Sequence, residues 1–258
     1  MKRVARVVLA GVVASMTLVA LGDGAKRGAL AADVKWGYSG AGAPDKWGEL
    51  SPQYAACKTG KNQTPIDIKG AVVADDLAPI TFDYKPSPLR IIDNGHTIQV
   101  NYAPGSSIAV AGRRYELVQF HFHKPAEERV NGKAYDMDAH LVHRDKDRRL
   151  AVVGVLLAKG SENPVIRTLW SNLPKTKEKE QVVDAVTIDA GGLLPADRGY
   201  YTFAGSLTTP PCSEDVTWFV LKTPVPLSAA QIEQFGTLYK MNARNVQPLN
   251  GRVVKSTK

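Results

Sequence analysis

Two-residue alternation of apolar and polar positions, more than any helical period, marks this chain. Ile91-Ile92 and Thr97 to Tyr102 flank the turn-forming Asp93-Asn94-Gly95-His96, which predicts a pair of strands joined by a tight turn. Tyr115 to His123, Asp138 to His143 and Val216 to Leu221 read as further strands. Arg149 to Ala158 is almost wholly apolar, the pattern of a central strand covered on both faces. Helical signals are fewer. Ser228-Ala-Ala-Gln231 is a capping box opening a segment through Leu238, and Asn163-Pro164 to Leu173 is a second candidate. No internal repeat, low-complexity tract or long linker divides the chain. The pattern therefore predicts a mainly β, α+β protein: a single domain built on one large sheet with helices at its margins.

Composition changes this picture little. With 258 residues, 44% of them hydrophobic and 22% charged, the chain has a globular mix and enough length for a sizeable core. That excludes disordered, collagen-like and disulfide-dense small-protein classes. The N-terminus stands apart. Lys2, Arg3 and Arg6 precede an apolar stretch from Val7 to Leu21, and Ala29-Leu30-Ala31 supplies a small-x-small site. This is the layout of a secretory signal peptide over residues 1–31, leaving 32–258 as the mature domain; an uncleaved membrane anchor is the alternative. Five bases and one acid leave with that segment, so the net charge falls from +8 to +4. The densest basic run, Lys175-Thr-Lys-Glu-Lys-Glu180, mixes its signs and reads as a solvated loop, and no basic–aromatic interleaving argues for nucleic acid. After signal cleavage no segment is expected to hold the protein to a membrane, and the expected location is periplasmic or secreted.

Two cysteines, Cys57 and Cys212, lie in the exported part. An oxidising compartment favours a disulfide between them, two buried thiols being the alternative. Because Cys212 follows Thr208-Thr209-Pro210-Pro211, a bridge there would pin that loop.

The histidines carry the chemistry. In Gln119-Phe-His-Phe-His123 a strand's alternation puts His121 and His123 on one face and Phe120 and Phe122 on the other. His140 and His143 on the next strand point to opposite faces, so only one of them can join the first pair. Three imidazoles from two strands leave one tetrahedral position open, which suits a catalytic zinc site; copper accepts the same ligands, and spacing leaves both metals open.

At this point the chain resembles an α-class carbonic anhydrase of the secreted bacterial type. The resemblance runs from Trp36-Gly37-Tyr38 to Gln247-Pro248-Leu249 and rests on Asn62 to Ile68, Asp93 to His96, Gln119 to His123, His140 to His143, Gly205 to Pro211 and Val216-Thr-Trp218. It implies a mostly antiparallel, twisted central sheet and one zinc ion per chain on His121, His123 and His140. It further implies reversible hydration of carbon dioxide to bicarbonate and a proton by a zinc-bound hydroxide, with esterase activity as a side reaction. Thr208 and Glu127 match the family's gating pair, and His96 its proton shuttle. Tyr38, Asn94 and Gln99 match positions that organise water. Val142, Val152, Leu207, Thr209 and Trp218 match the substrate pocket. Gln119 and Asp138 match the partners of His121 and His140, and His143 is expected to be a structural core residue. Thr64-Pro65 and Pro210-Pro211 are candidate cis bonds. A homodimer is compatible with the resemblance.

Three positions depart from the family pattern. Lys124 stands where many relatives have tryptophan, Asp138 where many have glutamate, and Phe203 where a tyrosine is usual. None is a metal ligand; the departures bear on metal retention and rate. A catalytically silent binding domain is the competing reading, and the full set of three histidines with Thr208, Glu127 and His96 argues against it.

Overall fold

The computed structural model describes residues 34–258; the expected signal segment lies outside the described residues. Twelve strands form one sheet. Its middle runs, in spatial order, Ser87–Asp93, Ile98–Asn101, Arg113–His123, Met137–Arg144, Leu150–Lys159, Val216–Leu227 and Tyr200–Gly205. These pairings are antiparallel except that of Leu150–Lys159 with Val216–Leu227. At one edge Lys255–Ser256 also runs parallel to Val72–Val73. The sheet is thus mixed, mostly antiparallel as expected.

Each expected strand is present, with one local feature that the plain alternation did not contain. Tyr115 and Leu117 face the main core, and so do Phe120 and Phe122, although the two pairs differ in parity. The register shift between Leu117 and Gln119 against the Met137–Arg144 strand resolves this. One extra residue in a strand reverses which side chains face which side. The bulge therefore turns Gln119, His121 and His123 away from the core face that Tyr115 and Leu117 occupy. Burying each of those phenylalanines contributes roughly 1.5–3 kcal/mol, which holds the switched register in place.

The main core packs this face against the helices Pro164–Trp170 and Ala229–Leu238, through Ile166, Leu169, Trp170, Ile232 and Phe235. The second helix opens with the expected capping box of Ser228 and Gln231. The first is capped by Asn163, whose side chain accepts from the amides of Val165 and Ile166, and it stops at Trp170, short of Leu173. On the other face, Val152, Leu156, Phe203, Trp218 and Val220 form a smaller cluster. The central Leu150–Lys159 strand contributes to both, as its unbroken apolar run requires. Among the strands that the sequence pattern does not mark, the two longest carry weaker signals. Gln181–Ile188 pairs with Ser87–Asp93 at a sheet edge with a break in register after Val183, and Tyr200–Gly205 pairs with Val216–Leu227.

The Cys57–Cys212 disulfide is formed. It joins a third cluster containing Trp47 and, at its margin, Trp36 and Tyr38. The Lys175 to Glu180 run is largely exposed, as expected, though Glu180 turns in to accept from Arg90 and Asn101. Among the described residues no helix is long and apolar enough to cross a membrane.

Candidate metal centre and surrounding cleft

His121 sits directly across from His140 in the antiparallel register, and His123 lies one pleat further along. One nitrogen of each of the three imidazoles falls within 4.8 Å of the others. His123 and His140 are buried and His121 is half-buried. In each ring the other nitrogen is already engaged. His121 Nδ1 lies 2.8 Å from Gln119 Oε1, His123 Nδ1 lies 2.8 Å from the backbone oxygen of Asn242, and His140 Nε2 lies 3.2 Å from Glu128 Oε2. That leaves His121 Nε2, His123 Nε2 and His140 Nδ1 to converge. The His123 Nε2 atom is wholly buried with no hydrogen-bond partner. A buried polar nitrogen left so is costly unless something binds it.

Electrostatics agree. Burial, and then the neighbouring His123 and His140, push the His121 pKa well below its ordinary value and keep its lone pair available. Burial opposes the charged form of His140, but Asp138 and Glu128 outweigh it and raise that ring's affinity for a proton or another cation. Burial pushes the Glu128 carboxyl up to about 7. The facing His140 holds Asp138 below its ordinary value against the effect of burial. A neutral-ligand set of three histidines with one position open, each ring oriented through its second nitrogen, is the donor chemistry of a catalytic zinc site. The residues present fit that ion.

His143 points the other way, into the main core, with Nε2 2.8 Å from the Tyr84 hydroxyl. It is the structural residue that its position implied.

Around the histidines the remaining expected residues fall as follows. Trp218 stands edge-on to His140 with ring centroids 4.9 Å apart, its indole N–H donating to the Ser206 carbonyl. Val142, Val152 and Leu207 pack with it in one apolar cluster. Thr208 is buried, while Thr209 is half-buried with its carbonyl accepting from the Cys212 amide at 2.8 Å. Glu127 is buried, and its Oε1 accepts from the Arg244 amide at 2.7 Å. Its Oε2 lies 3.6 Å from His123 Nε2 and has no hydrogen-bond partner, so the Thr208–Glu127 bond implied by the resemblance is not formed in this structure. Asp138 Oδ2 lies 3.4 Å from His140 Nε2 but makes its hydrogen bond, 2.6 Å, to the Glu127 amide. Asp138 thus lies behind His140 where it was expected, and Glu128 is the carboxylate that makes the hydrogen bond to the ring.

His96 is carried by the turn after Ser87–Asp93. Asn94 Oδ1 accepts from the amides of His96 and Thr97, and Gly95, at φ +84°, supplies the left-handed residue the turn needs. The imidazole stacks on Trp36, with centroids 3.7 Å apart and planes 5° from parallel. Burial, with Lys177 adding and Glu178 opposing, lowers its pKa. Asn94 and Gln99 are linked by a 3.3 Å amide bond that continues to Asn101. Burial, then the charges of Glu127 and Asp138, push the Tyr38 phenol well above its ordinary range.

Three residues organise the site that the sequence reading did not single out. Asn242, fully buried, donates to the carbonyls of His96 and Phe122 and accepts from the amide of Lys124. Arg244 donates to Gln63, to the Thr64 carbonyl and to the Cys57 carbonyl, tying the Asn62–Ile68 segment to the disulfide helix. Glu128 is the third. Thr64 and Ser206 exchange amide-to-hydroxyl bonds of 2.9 and 3.0 Å across the site loop. A Cβ at Gly205 would come within 2.2 Å of Thr64 Oγ1, so only glycine permits that approach. Thr64-Pro65 and Pro210-Pro211 are cis as expected, and Lys124-Pro125 is cis as well.

A model of the eukaryotic-type carbonic anhydrase family matches residues 42–258. A carbonic anhydrase of Nostoc sp. is 47% identical over 232 residues, covering 88% of this chain and 87% of its own length. One from Pectobacterium carotovorum is 44% identical over 223 residues, covering 86% and 90%. Among solved structures, a hyperthermostable carbonic anhydrase from an active hydrothermal vent chimney has a TM-score of 0.84 at 47% identity, over 87% of this chain and 100% of that one. The α-carbonic anhydrase of Thermovibrio ammonificans, solved with sulfanilamide, has a TM-score of 0.83 at 45% identity, over the same shares. By sequence and by fold, over most of its length, this chain belongs to the α-carbonic anhydrase family.

Proposed function

We propose that the chain binds one zinc ion through His121 Nε2, His123 Nε2 and His140 Nδ1 and interconverts carbon dioxide and bicarbonate with His96 as proton shuttle. The observation that carries this is the buried, partnerless His123 Nε2 facing two other imidazoles whose second nitrogens are all engaged. When bound, zinc makes a water acidic near pH 7, carbonic anhydrase itself being the reference case for that value.

The protein's own groups do the rest. Carbon dioxide is apolar, and the Val142, Val152, Leu207 and Trp218 wall beside His140 offers it an apolar resting place. Glu127 Oε1 is occupied by the Arg244 amide, so its free Oε2 can only accept. Although the bond is not made in this structure, a Thr208 hydroxyl donating there would turn its lone pairs toward the attacking water and select one orientation of it. The proton released on each turnover must reach solvent. His96, half-buried at the cleft with a pKa below the ordinary value, is neutral at pH 7 and free to accept it. Tyr38, Asn94 and Gln99 line the approach. The disulfide supports an oxidising location, periplasmic or secreted.

The test is stopped-flow carbon dioxide hydration on the mature protein with metal analysis of the same sample. We expect about one zinc per chain, and turnover that is lost on chelation and restored by zinc. His121→Ala should abolish turnover. Hydration persisting in that variant would overturn the metal-site assignment, and zinc without hydration would favour the silent or esterase readings.

A further inference from the structure

We propose that Glu128 is the residue that holds His140 in its metal-binding orientation and so governs how long zinc stays bound, an inference that rests on the zinc reading above. The resemblance assigns this work to position 138, where the chain carries the shorter aspartate. In this structure the Asp138 oxygen nearest the imidazole is committed elsewhere: Oδ2 accepts a 2.6 Å bond from the Glu127 amide and stands 3.4 Å from His140 Nε2. Glu128 Oε2 is closer, at 3.2 Å, and makes the hydrogen bond.

Everything about Glu128 points toward that single contact. The residue is wholly buried, and its Oε1 has no hydrogen-bond partner. The only side-chain hydrogen bond it makes among the described residues is the one to His140. A buried carboxylate with one bond is a poor contributor to folding, since its desolvation is only partly offset. Its geometry makes sense as an orienting group. Asp138 sits on the same strand and the same face as His140, two residues away, so its one-carbon arm reaches along the strand toward the ring. Glu128 arrives from the segment after Pro125 with a longer arm and meets the ring nitrogen from outside the strand. Trp218 stands edge-on to His140, and the opposite nitrogen faces the cleft, so the carboxylate completes the ring's confinement. Fixing the second nitrogen selects the tautomer that offers Nδ1 to the metal.

The experiment follows zinc release from the zinc-loaded protein into excess chelator, by the absorbance of the chelator complex. Loss of such an orienting partner typically weakens metal binding about 10–100-fold, so Glu128→Ala should release zinc faster by that factor. Asp138→Ala should stay within about threefold of wild type, and Glu128→Gln, which keeps an oxygen in place, should fall close to wild type as well. The visible spectrum of the cobalt-substituted protein should shift in Glu128→Ala and not in Asp138→Ala. If Glu128→Ala does not fold, Glu128→Asp withdraws the carboxylate by one methylene while keeping its charge and should show the same acceleration. Wild-type release from Glu128→Ala or, where that does not fold, from Glu128→Asp, or release from Asp138→Ala as fast as from Glu128→Ala, overturns the inference alone. A wild-type protein that takes up no zinc overturns the zinc reading, and this inference with it.

Discussion

His143 gives the chain a titration whose size can be worked out. Its imidazole is fully buried on the core side of the His140 strand, and burial pushes its pKa down to about 3. In the unfolded chain the same group titrates near 6.5, so below that pH the unfolded state takes up a proton that the folded state refuses. The folded pKa is the lower one; stability is therefore fully present above about pH 6.5 and is lost as pH falls toward 3. Linkage puts the loss between about pH 7 and about pH 4.5 at about 2.5 kcal/mol, and its ceiling near pH 3 at about 5 kcal/mol. The assay is urea unfolding followed by tryptophan fluorescence at both pH values, in the wild type and in His143→Phe. Carboxylate protonation and metal release enter both proteins alike and cancel in the double difference. The variant loses the Tyr84 hydrogen bond, about 1 kcal/mol, at both pH values. The wild type should lose about 2.5 kcal/mol more than the variant on acidification. Equal losses in the two proteins would refute the assignment of His143 as a buried neutral imidazole.

Two further outcomes are expected. Trp36→Ala removes the ring stacked on His96, so the imidazole midpoint, followed by NMR of its ring protons, should rise toward 6.5; an unmoved midpoint would show that the stack does not set its burial. Arg244→Ala strands the acceptors of Gln63, Thr64 and Cys57 and should lower the stability seen in thermal melts by about 3 kcal/mol or more; a loss under about 1 kcal/mol would mean that water replaces the guanidinium.

Much of the site was legible because its chemistry rides on strand periodicity. His121 and His123 flank core phenylalanines, so their shared face could be read directly, and the odd spacing of His140 and His143 meant that one would turn inward. The reversal of apolar parity between Leu117 and Phe120 was also present in the sequence, and the bulge is its explanation. The capping box survived intact because its two bonds are local. What escaped notice is held by contacts remote in sequence. Asn242 and Arg244 lie in an irregular segment with no period to mark them, yet they tie His123 and Glu127 to the rest. The adjacent Glu127 and Glu128 look alike in sequence, and only the fold shows that one faces the cleft histidines and the other the back of His140. Gln181–Ile188 sits at an edge with a break in register, so its pattern was blurred by partial exposure.

The three histidines lie on two neighbouring strands, and the two carboxylates behind His140, Glu128 and Asp138, fall within the same short stretch of chain, residues 121–140. Thr208, by contrast, is seated by residues drawn from distant parts of the chain: Thr64, Cys57 and Arg244 all bear on its loop through Ser206, Cys212 and the bonds between them. Metal capture therefore rests mainly on this local stretch, with Asn242 behind His123 as its distant support, whereas catalytic competence rests on contacts from across the chain. Damage to the far-flung contacts can leave a fully loaded protein that turns over slowly, so a metal assay on a collection of variants would overcount the working enzymes.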